Sequence, residues 1–128
     1  MTDKKDMSLN EFETSVDDLY RSFPIIFRNK PTISVMVGWH ELIADCAFEM
    51  EKAITSSNDY ASLDDCPMII DIKEKYGSLR ICVVNSSEDL FHITSKYENM
   101  SMQVCETCGR PGKLTRKGWI RSTCDIHE

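Results

Sequence analysis

The sequence predicts an α+β protein in which helices pack on a small antiparallel β-hairpin sheet. Three observations indicate this fold class. Apolar residues recur at helical spacing in three segments, two shorter segments with alternating apolar residues flank a Tyr-Gly turn, and two Cys/His pairs near the carboxyl end have metal-ligand spacing. A chain of 128 residues can bury roughly two thirds of its unfolded surface in one domain. We therefore expect an α+β body at residues 1–104 and a metal-binding tail at residues 105–128.

The first predicted helix begins at Ser8, which forms a capping-box pattern with Glu11. Its apolar face consists of Phe12, Val16, Leu19, Tyr20 and Phe23. Pro24 ends this pattern because proline lacks the amide that an inner helical turn needs. The segment from Phe23 to Val37 is apolar but contains two prolines, Pro24 and Pro31, and is predicted to be irregular or short extended structure.

Two further helices follow. The second is predicted from Trp39 to about Thr55, with apolar residues at helical spacing: Leu42, Ile43, Cys46, Met50, Ala53 and Ile54. Ser86 or Ser87 can cap the third helix, whose first turn contains two acidic residues that the helix dipole favours. Its inward-facing residues are expected to be Leu90, Ile93, Tyr97 and Met100.

Between these helices the pattern changes to the alternation of a β-hairpin. Apolar residues alternate in residues 68–72 and again in residues 79–83, and Tyr76-Gly77 supplies the turn between them. Two strands need a cover, and we expect the helices to provide it. Basic residues border this hairpin, and the simplest interpretation is that they are edge charges that discourage pairing with another chain: Lys73, Lys75 and Arg80.

The strongest chemical pattern lies in the tail. Cys105 and Cys108 form one close pair, and Cys124 and His127 form a second pair after fifteen intervening residues. Three thiolates and an imidazole are soft or borderline donors that suit tetrahedral zinc better than magnesium or calcium. Four protein ligands leave no open position for water, so we expect one structural Zn²⁺ ion rather than a catalytic one. Gly109 allows the backbone to turn toward the first two thiolates.

The segment between the two pairs is predicted to be a second hairpin, which would return Cys124 to the side of Cys108. The tail would then form a zinc-ribbon-like or treble-clef-like element. A disulfide between Cys105 and Cys108 is the alternative, but a paired Cys-x-x-His favours metal binding. The other three cysteines, Cys46, Cys66 and Cys82, are interpreted as buried or incidental thiols.

Known catalytic signatures fail when they are compared with the residues. His40-Glu41 begins like a zinc-protease helix, but position 44 is Ala instead of the second His. Neither His40 nor His92 has a Glu two residues later, as a zinc deaminase would require. We therefore predict that the protein is not an enzyme, and we interpret His40 as a capping or packing residue.

Charge is divided unevenly along the chain. Residues 1–104 carry ten Lys/Arg and eighteen Asp/Glu, a net charge of −8, whereas residues 105–128 carry five and three, a net charge of +2. An acidic body repels nucleic-acid phosphates and favours a partner with a basic surface. The tail could contact nucleic acid through a basic cluster around a tryptophan: Arg110, Lys113, Arg116, Lys117, Trp119 and Arg121. The simpler interpretation is a solvated hairpin face with Trp119 packed against the metal-binding element.

Three segments resemble a family of small bacterial and bacteriophage proteins. They are Gly38-Trp39-His40-Glu41-Leu42-Ile43, the segment from Ile72 to Arg80, and the tail from Cys105 to His127. In that family a Gly-Trp helix start precedes a Lys-Glu-Lys-aromatic-Gly-x-Leu-Arg hairpin and a Cys-x-x-Cys-Gly, Gly-Trp, Cys-x-x-His ending. The resemblance supports the four metal ligands and the Tyr76-Gly77 turn, and it implies no catalytic residues.

The resemblance implies a phage or prophage setting. We therefore expect a non-enzymatic accessory protein that binds a host protein with a basic surface, for example as an anti-CRISPR-like inhibitor of a bacterial defence complex. The alternative is a zinc-containing nucleic-acid-binding regulator. Residues 1–7 lack the apolar stretch of a secretory signal, and no apolar run approaches the length of a membrane span. The expected location is the cytoplasm of a bacterial host cell, with no membrane partner.

Overall fold

A computed structural model describes residues 9–116 and 118–128, with side chains from Phe12 onward. It has three helices: α1 (Leu9–Ser22), α2 (His40–Thr55) and α3 (Glu88–Ser101). It has five strands: β1 (Thr32–Ser34), β2 (Met68–Lys75), β3 (Ser78–Val84), β4 (Lys113–Thr115) and β5 (Arg121–Thr123). Short 3-10 turns at Val37–Trp39 and Leu63–Asp65 precede α2 and β2. The predicted α+β class is confirmed.

The main sheet has three strands in the order β1-β2-β3, and β2 lies in the centre. The predicted hairpin is present, because β2 and β3 pair antiparallel through the Tyr76-Gly77 turn. The strand β1 was not predicted; it pairs with β2 in parallel, with Ile33 opposite Ile72 and Ser34 opposite Lys73. A three-residue strand directly after Pro31 carries too short a pattern to be recognised, and its pairing depends on residues about forty positions away.

One face of this sheet is buried and the other is open. The buried face includes Ile33, Ile72 and Ile81, which belong to the same core cluster as the apolar residues of α2 and α3. The open face carries exposed polar side chains: Thr32, Ser34, Lys73, Lys75 and Arg80. We call these five residues the open sheet face. Because β2 is the central strand, the interpretation of Lys73 as an edge charge is wrong.

The helices follow the sequence prediction closely. The Ser87 hydroxyl caps α3 by accepting a hydrogen bond from the Leu90 amide at 3.2 Å. Ser8 of the predicted capping box at the start of α1 lies outside the described residues, and so does the side chain of Glu11. Met100 is 43% exposed, so its predicted inward position in α3 is wrong. The buried stripe of that helix consists of Leu90, Thr94, Tyr97 and Ser101, and Met100 lies beside it.

Polar contacts join the helices to the rest of the body. The Glu51 carboxylate of α2 accepts hydrogen bonds from the amides of Ile25 at 2.7 Å and Ile26 at 2.9 Å. The Glu49 carboxylate accepts hydrogen bonds from the side chains of Lys96 and Tyr97 on α3. These bonds satisfy amides and charges that would otherwise be unpaired at the junctions between elements.

Candidate metal centre and the surfaces around it

The four predicted ligands lie together. The ligand atoms of Cys105, Cys108, Cys124 and His127 all lie within 4.8 Å of one another, so they could hold a metal ion. The Cys108 and Cys124 sulfurs are 3.7 Å apart, and Nδ1 of His127 lies 3.7 Å from the Cys105 sulfur and 3.2 Å from the Cys124 sulfur. A tetrahedral zinc site has sulfur–sulfur edges of about 3.8 Å and sulfur–nitrogen edges of about 3.5 Å, given its usual bond lengths. The residues therefore fit the size of a zinc ion.

Each ligand pair is held in its own tight turn. The Gly109 amide donates to the Cys105 carbonyl at 2.8 Å, and Gly109 has a φ of +82°, as the sequence predicted for the residue after the first pair. The His127 amide donates to the Cys124 carbonyl at 3.2 Å. Both pairs can therefore approach one ion from opposite sides.

The backbone also prepares Cys105 for metal binding. Burial by itself would raise the pKa of the Cys105 thiol, but amides of Cys124, Cys108 and Thr107 point at its sulfur and lower the pKa to about 6. Burial raises the pKa of the Cys108 thiol, and the neighbouring Cys105 and Cys124 sulfurs raise it further. Three sulfurs this close repel one another as thiolates, and a divalent cation is the group that would relieve this repulsion.

The candidate metal-binding turn, residues 105–109, is built onto the start of α2. The Gly38 amide donates to the Glu106 carbonyl at 2.9 Å, and a Cβ atom on Gly38 would lie 2.3 Å from the Cys105 carbonyl oxygen. The indole N–H of Trp39, whose side chain is fully buried, donates to the Val104 carbonyl at 2.9 Å. Only glycine permits this close backbone approach, and the tryptophan anchors it.

The tail hairpin is docked onto the turn of the first hairpin. Strands β4 and β5 pair antiparallel, as predicted, with Leu114 opposite Ser122. The Ser122 hydroxyl, which is fully buried, donates to the Gly77 carbonyl at 2.6 Å. A Cβ atom on Gly77 would lie 2.5 Å from a methyl group of Leu114. The three segments that carry the sequence resemblance therefore meet in one structural unit. The boundary between residues 104 and 105 stays a prediction.

One basic residue of the tail has a structural partner. Nε of Arg121 donates to the Glu106 carboxylate at 2.7 Å, and Glu106 is only 6% exposed. The second carboxylate oxygen of Glu106 has no hydrogen-bond partner among the described residues. An ion pair with a buried carboxylate holds Arg121 in place, so this arginine is less available to an external ligand than its position in the sequence suggested.

The other described members of the predicted basic cluster are exposed. Arg110, Lys113 and Arg116 lie at the surface, and Lys117 lies outside the described residues. Trp119 is 75% exposed, so the expectation that it packs against the metal-binding element is wrong. It follows Gly118 in the hairpin turn, beyond the last β4–β5 pair, and Leu114 and Ser122 already occupy the inward face.

His40 and the remaining cysteines lie in the core or beside it. His40 is 6% exposed, its Nδ1 lies 2.8 Å from the Ser15 hydroxyl, and its ring contacts Phe12, so it packs α1 onto α2. Burial lowers the pKa of its imidazole. Cys46 and Cys66 are buried free thiols, Cys82 is a half-buried one, and burial raises the pKa of Cys46 to about 12.

Comparisons with known proteins find no match: no protein-family model, no curated protein and no solved structure is similar to the chain. No helix among the described residues combines the length and apolar character that a bilayer span requires.

Proposed function

We propose that the protein is a non-enzymatic binding protein whose tail is closed by one structural zinc ion and whose acidic helices dock onto a basic surface of a host protein. The ligand-atom spacing supports zinc, because four donors at the corners of a small tetrahedron leave no position for a substrate. The accessory role in a phage or prophage setting is part of the same proposal and follows from the sequence resemblance.

The observation that carries the docking proposal is the pattern of acidic residues on the outer faces of α1 and α2. Glu13 and Asp17 are exposed four residues apart on α1, and Glu41 and Asp45 are exposed four residues apart on α2. Within residues 12–116 and 118–128 none of these four carboxylates forms a salt bridge. Like charges at this spacing destabilise a helix by a few tenths of a kcal/mol, about 0.2 to 0.5 per pair. A basic partner would relieve that repulsion and would also be attracted at long range.

A capture experiment with matched charge reversals tests this docking. The immobilised wild-type protein is expected to retain a basic protein from bacterial lysate at low salt and to release it at high salt. The double variant Glu41→Lys/Asp45→Lys should lose this protein, whereas Asp59→Lys/Asp64→Lys, with the same charge change in an exposed loop, should retain it. Equal capture by both double variants, or no salt-sensitive capture by the wild type, would refute the proposal.

Metal analysis tests the zinc ion separately. Native mass spectrometry of the purified protein should show one zinc ion per chain, and Cys108→Ser should reduce that occupancy strongly. A wild-type protein that is fully folded without metal would exclude a structural zinc ion.

A second candidate function is favoured by the exposure of Trp119. In this alternative the protein is a nucleic-acid-binding regulator that uses the basic tail, with Trp119 stacking on a base and Arg116 contacting a phosphate. Mobility shifts with wild type and Arg116→Glu distinguish the two functions. Charge reversal at Arg116 should abolish nucleic-acid binding and leave capture by the acidic helices intact.

A further inference from the structure

The open sheet face is a basic island on an acidic protein. Lys73 of β2 and Arg80 of β3 lie directly opposite each other in the strand register, and both side chains are exposed. Like charges in directly opposed positions destabilise a sheet. Among the described residues, Lys73 forms an ion pair only with Asp71, at 3.7 Å, and this pair is largely exposed. Exposed pairs of this kind contribute little, so the face keeps its positive charge.

Hydroxyl groups extend this face onto the strand β1. Ser34 is opposite Lys73 in the parallel register, so Ser34, Lys73 and Arg80 form one row across the three strands. Residues in register on neighbouring strands point to the same face of the sheet. The row offers one hydroxyl and two cations, which are suitable donors for the oxygen atoms of a phosphate.

Two exposed aromatic side chains lie near the turn that joins β2 to β3. Tyr76, in the turn after Lys75, is 69% exposed, and Trp119 is 75% exposed. Residues of both turns line one cavity of about 420 Å³: Glu74, Lys75, Tyr76, Gly118, Trp119 and Ile120. The docking of Ser122 and Leu114 onto Gly77 holds the two turns side by side.

The backbone conformation of Tyr76 destabilises the fold. Its φ is +54°, and Gly77 follows with a φ of +81°, so both central residues of the turn are left-handed. Such turns strongly prefer Asn-Gly, and a bulky residue with positive φ is strained by about 1 kcal/mol or more. Strain of this kind collects at functional positions. The nearby Glu74 carboxylate accepts a hydrogen bond from the Gly77 amide at 2.7 Å, so one of its two oxygens already has a partner.

We propose that the open sheet face and the Tyr76–Trp119 aromatic pair form one binding surface for single-stranded nucleic acid. Phosphates contact the row of Ser34, Lys73 and Arg80, and bases stack on the two rings. The distance from the Lys73–Arg80 row to Tyr76 is three residues, about 10 Å, which is about the rise of three stacked nucleotides. The inference rests on the second candidate function, since Trp119 is shared, and extends it from the tail onto the sheet.

A duplex is a poorer ligand because its bases are already stacked against each other and cannot cover the two rings. An acidic protein segment could satisfy the cations, but its carboxylates offer no ring faces to Tyr76 and Trp119. The combination of cations with two exposed aromatic rings therefore favours nucleic acid over an acidic protein.

Fluorescence anisotropy with labelled 12-nucleotide single strands, in DNA and RNA versions, tests the proposal on the full chain loaded with zinc. Tyr76→Ala and Trp119→Ala are each expected to weaken binding about 5- to 150-fold, and Tyr76→Phe should restore most of it. The double variant Lys73→Gln/Arg80→Gln should reduce the slope of log K against log salt by about 1.4, because each phosphate contact contributes about 0.7. Lys52→Gln, an exposed lysine of α2, serves as the control and should change neither quantity.

The results separate this inference from the functions proposed above. Tighter binding of DNA or of RNA assigns the natural ligand, and either supports the surface. An unchanged salt slope in Lys73→Gln/Arg80→Gln would overturn the sheet face, even if Arg116→Glu abolished binding and thereby supported a site in the tail alone. The proposal would also be refuted if a duplex bound as tightly as the single strand, if polyglutamate displaced the labelled strand as well as an unlabelled single strand does, or if the wild type did not bind. None of these results bears on capture of a basic protein by the acidic helices.

Discussion

Replacing Gly38 with alanine tests how the metal-binding turn is joined to the body. The added methyl group would lie 2.3 Å from the Cys105 carbonyl oxygen and 2.5 Å from the Glu106 carbonyl carbon and oxygen. All three atoms belong to the backbone, so no side chain can move aside to make room. The tail must shift as a unit, and the bond from the Gly38 amide to the Glu106 carbonyl would lengthen or break.

The size of the effect follows from two contributions. Forcing an extra methyl group into a packed site costs about 1 to 3 kcal/mol, and losing one backbone hydrogen bond costs about 1 kcal/mol. We expect Gly38→Ala to lower the free energy of unfolding by about 3 kcal/mol. For a chain of this length, each kcal/mol lowers Tm by about 3 to 5 °C, so the total decrease should be about 10 °C.

Thermal unfolding followed by circular dichroism, with one equivalent of zinc present, measures this decrease. Gly118→Ala is the matched control, because among the described residues no atom beyond its chain neighbours lies within 4 Å of the added methyl group. Gly118 has a φ of +75°, so its replacement should still cost about 1 kcal/mol through backbone strain alone. A Tm for Gly38→Ala equal to that of the wild type, or no lower than that of Gly118→Ala, would refute the close approach described here.

Three further outcomes are expected. Removing the metal with a chelator should increase amide hydrogen exchange in residues 105–128 and at the Gly77 turn while the centre of α3 stays protected; uniform exchange across the chain would contradict a separate role for the tail. Tyr76→Asn should raise the free energy of unfolding by about 1 kcal/mol, since Asn-Gly suits a left-handed turn, and a lower Tm would show that the ring stabilises the fold. Because burial lowers the pKa of His40 below 6.5, the unfolded state binds more protons in acid, and stability should fall as pH decreases below about 6.5. The difference in Tm between pH 8 and pH 5.5 should be smaller in His40→Asn than in the wild type. Loss of metal in acid lowers Tm equally in both proteins, so the comparison isolates the histidine. An unchanged difference would exclude His40 as the source of the pH dependence.

The parts of the structure that the sequence predicted are those with a local signature. The helix α2 shows a 3.6-residue apolar period over four turns, and the hairpin turn is marked by Gly77, so both are recognisable from neighbouring residues alone. The four candidate ligands were recognisable because Cys-x-x-Cys and Cys-x-x-His each place two donors in one turn. Only the folded structure, however, brings the two pairs together.

The parts that the sequence did not predict depend on contacts between distant residues. The strand β1 has three residues, and its pairing with β2 leaves no periodic pattern. Lys73 was assigned to a strand edge because the order of strands in a sheet cannot be read from a single hairpin. Trp119 was expected to be buried, as large aromatic residues usually are, but its place at the tip of a hairpin turn exposes it.

The hydrogen bond from Ser122 to Gly77 couples metal binding by the tail to the position of Tyr76, which could otherwise vary independently. It connects the tail, whose fold depends on the metal ligands, to the turn that presents Tyr76. Any ligand that bridges Tyr76 and Trp119 favours the docked tail, and thermodynamic reciprocity then requires that the same ligand raise the equilibrium affinity of the tail for its metal ion. Metal affinity is therefore a measurable reporter of occupancy at a surface that does not touch the ion.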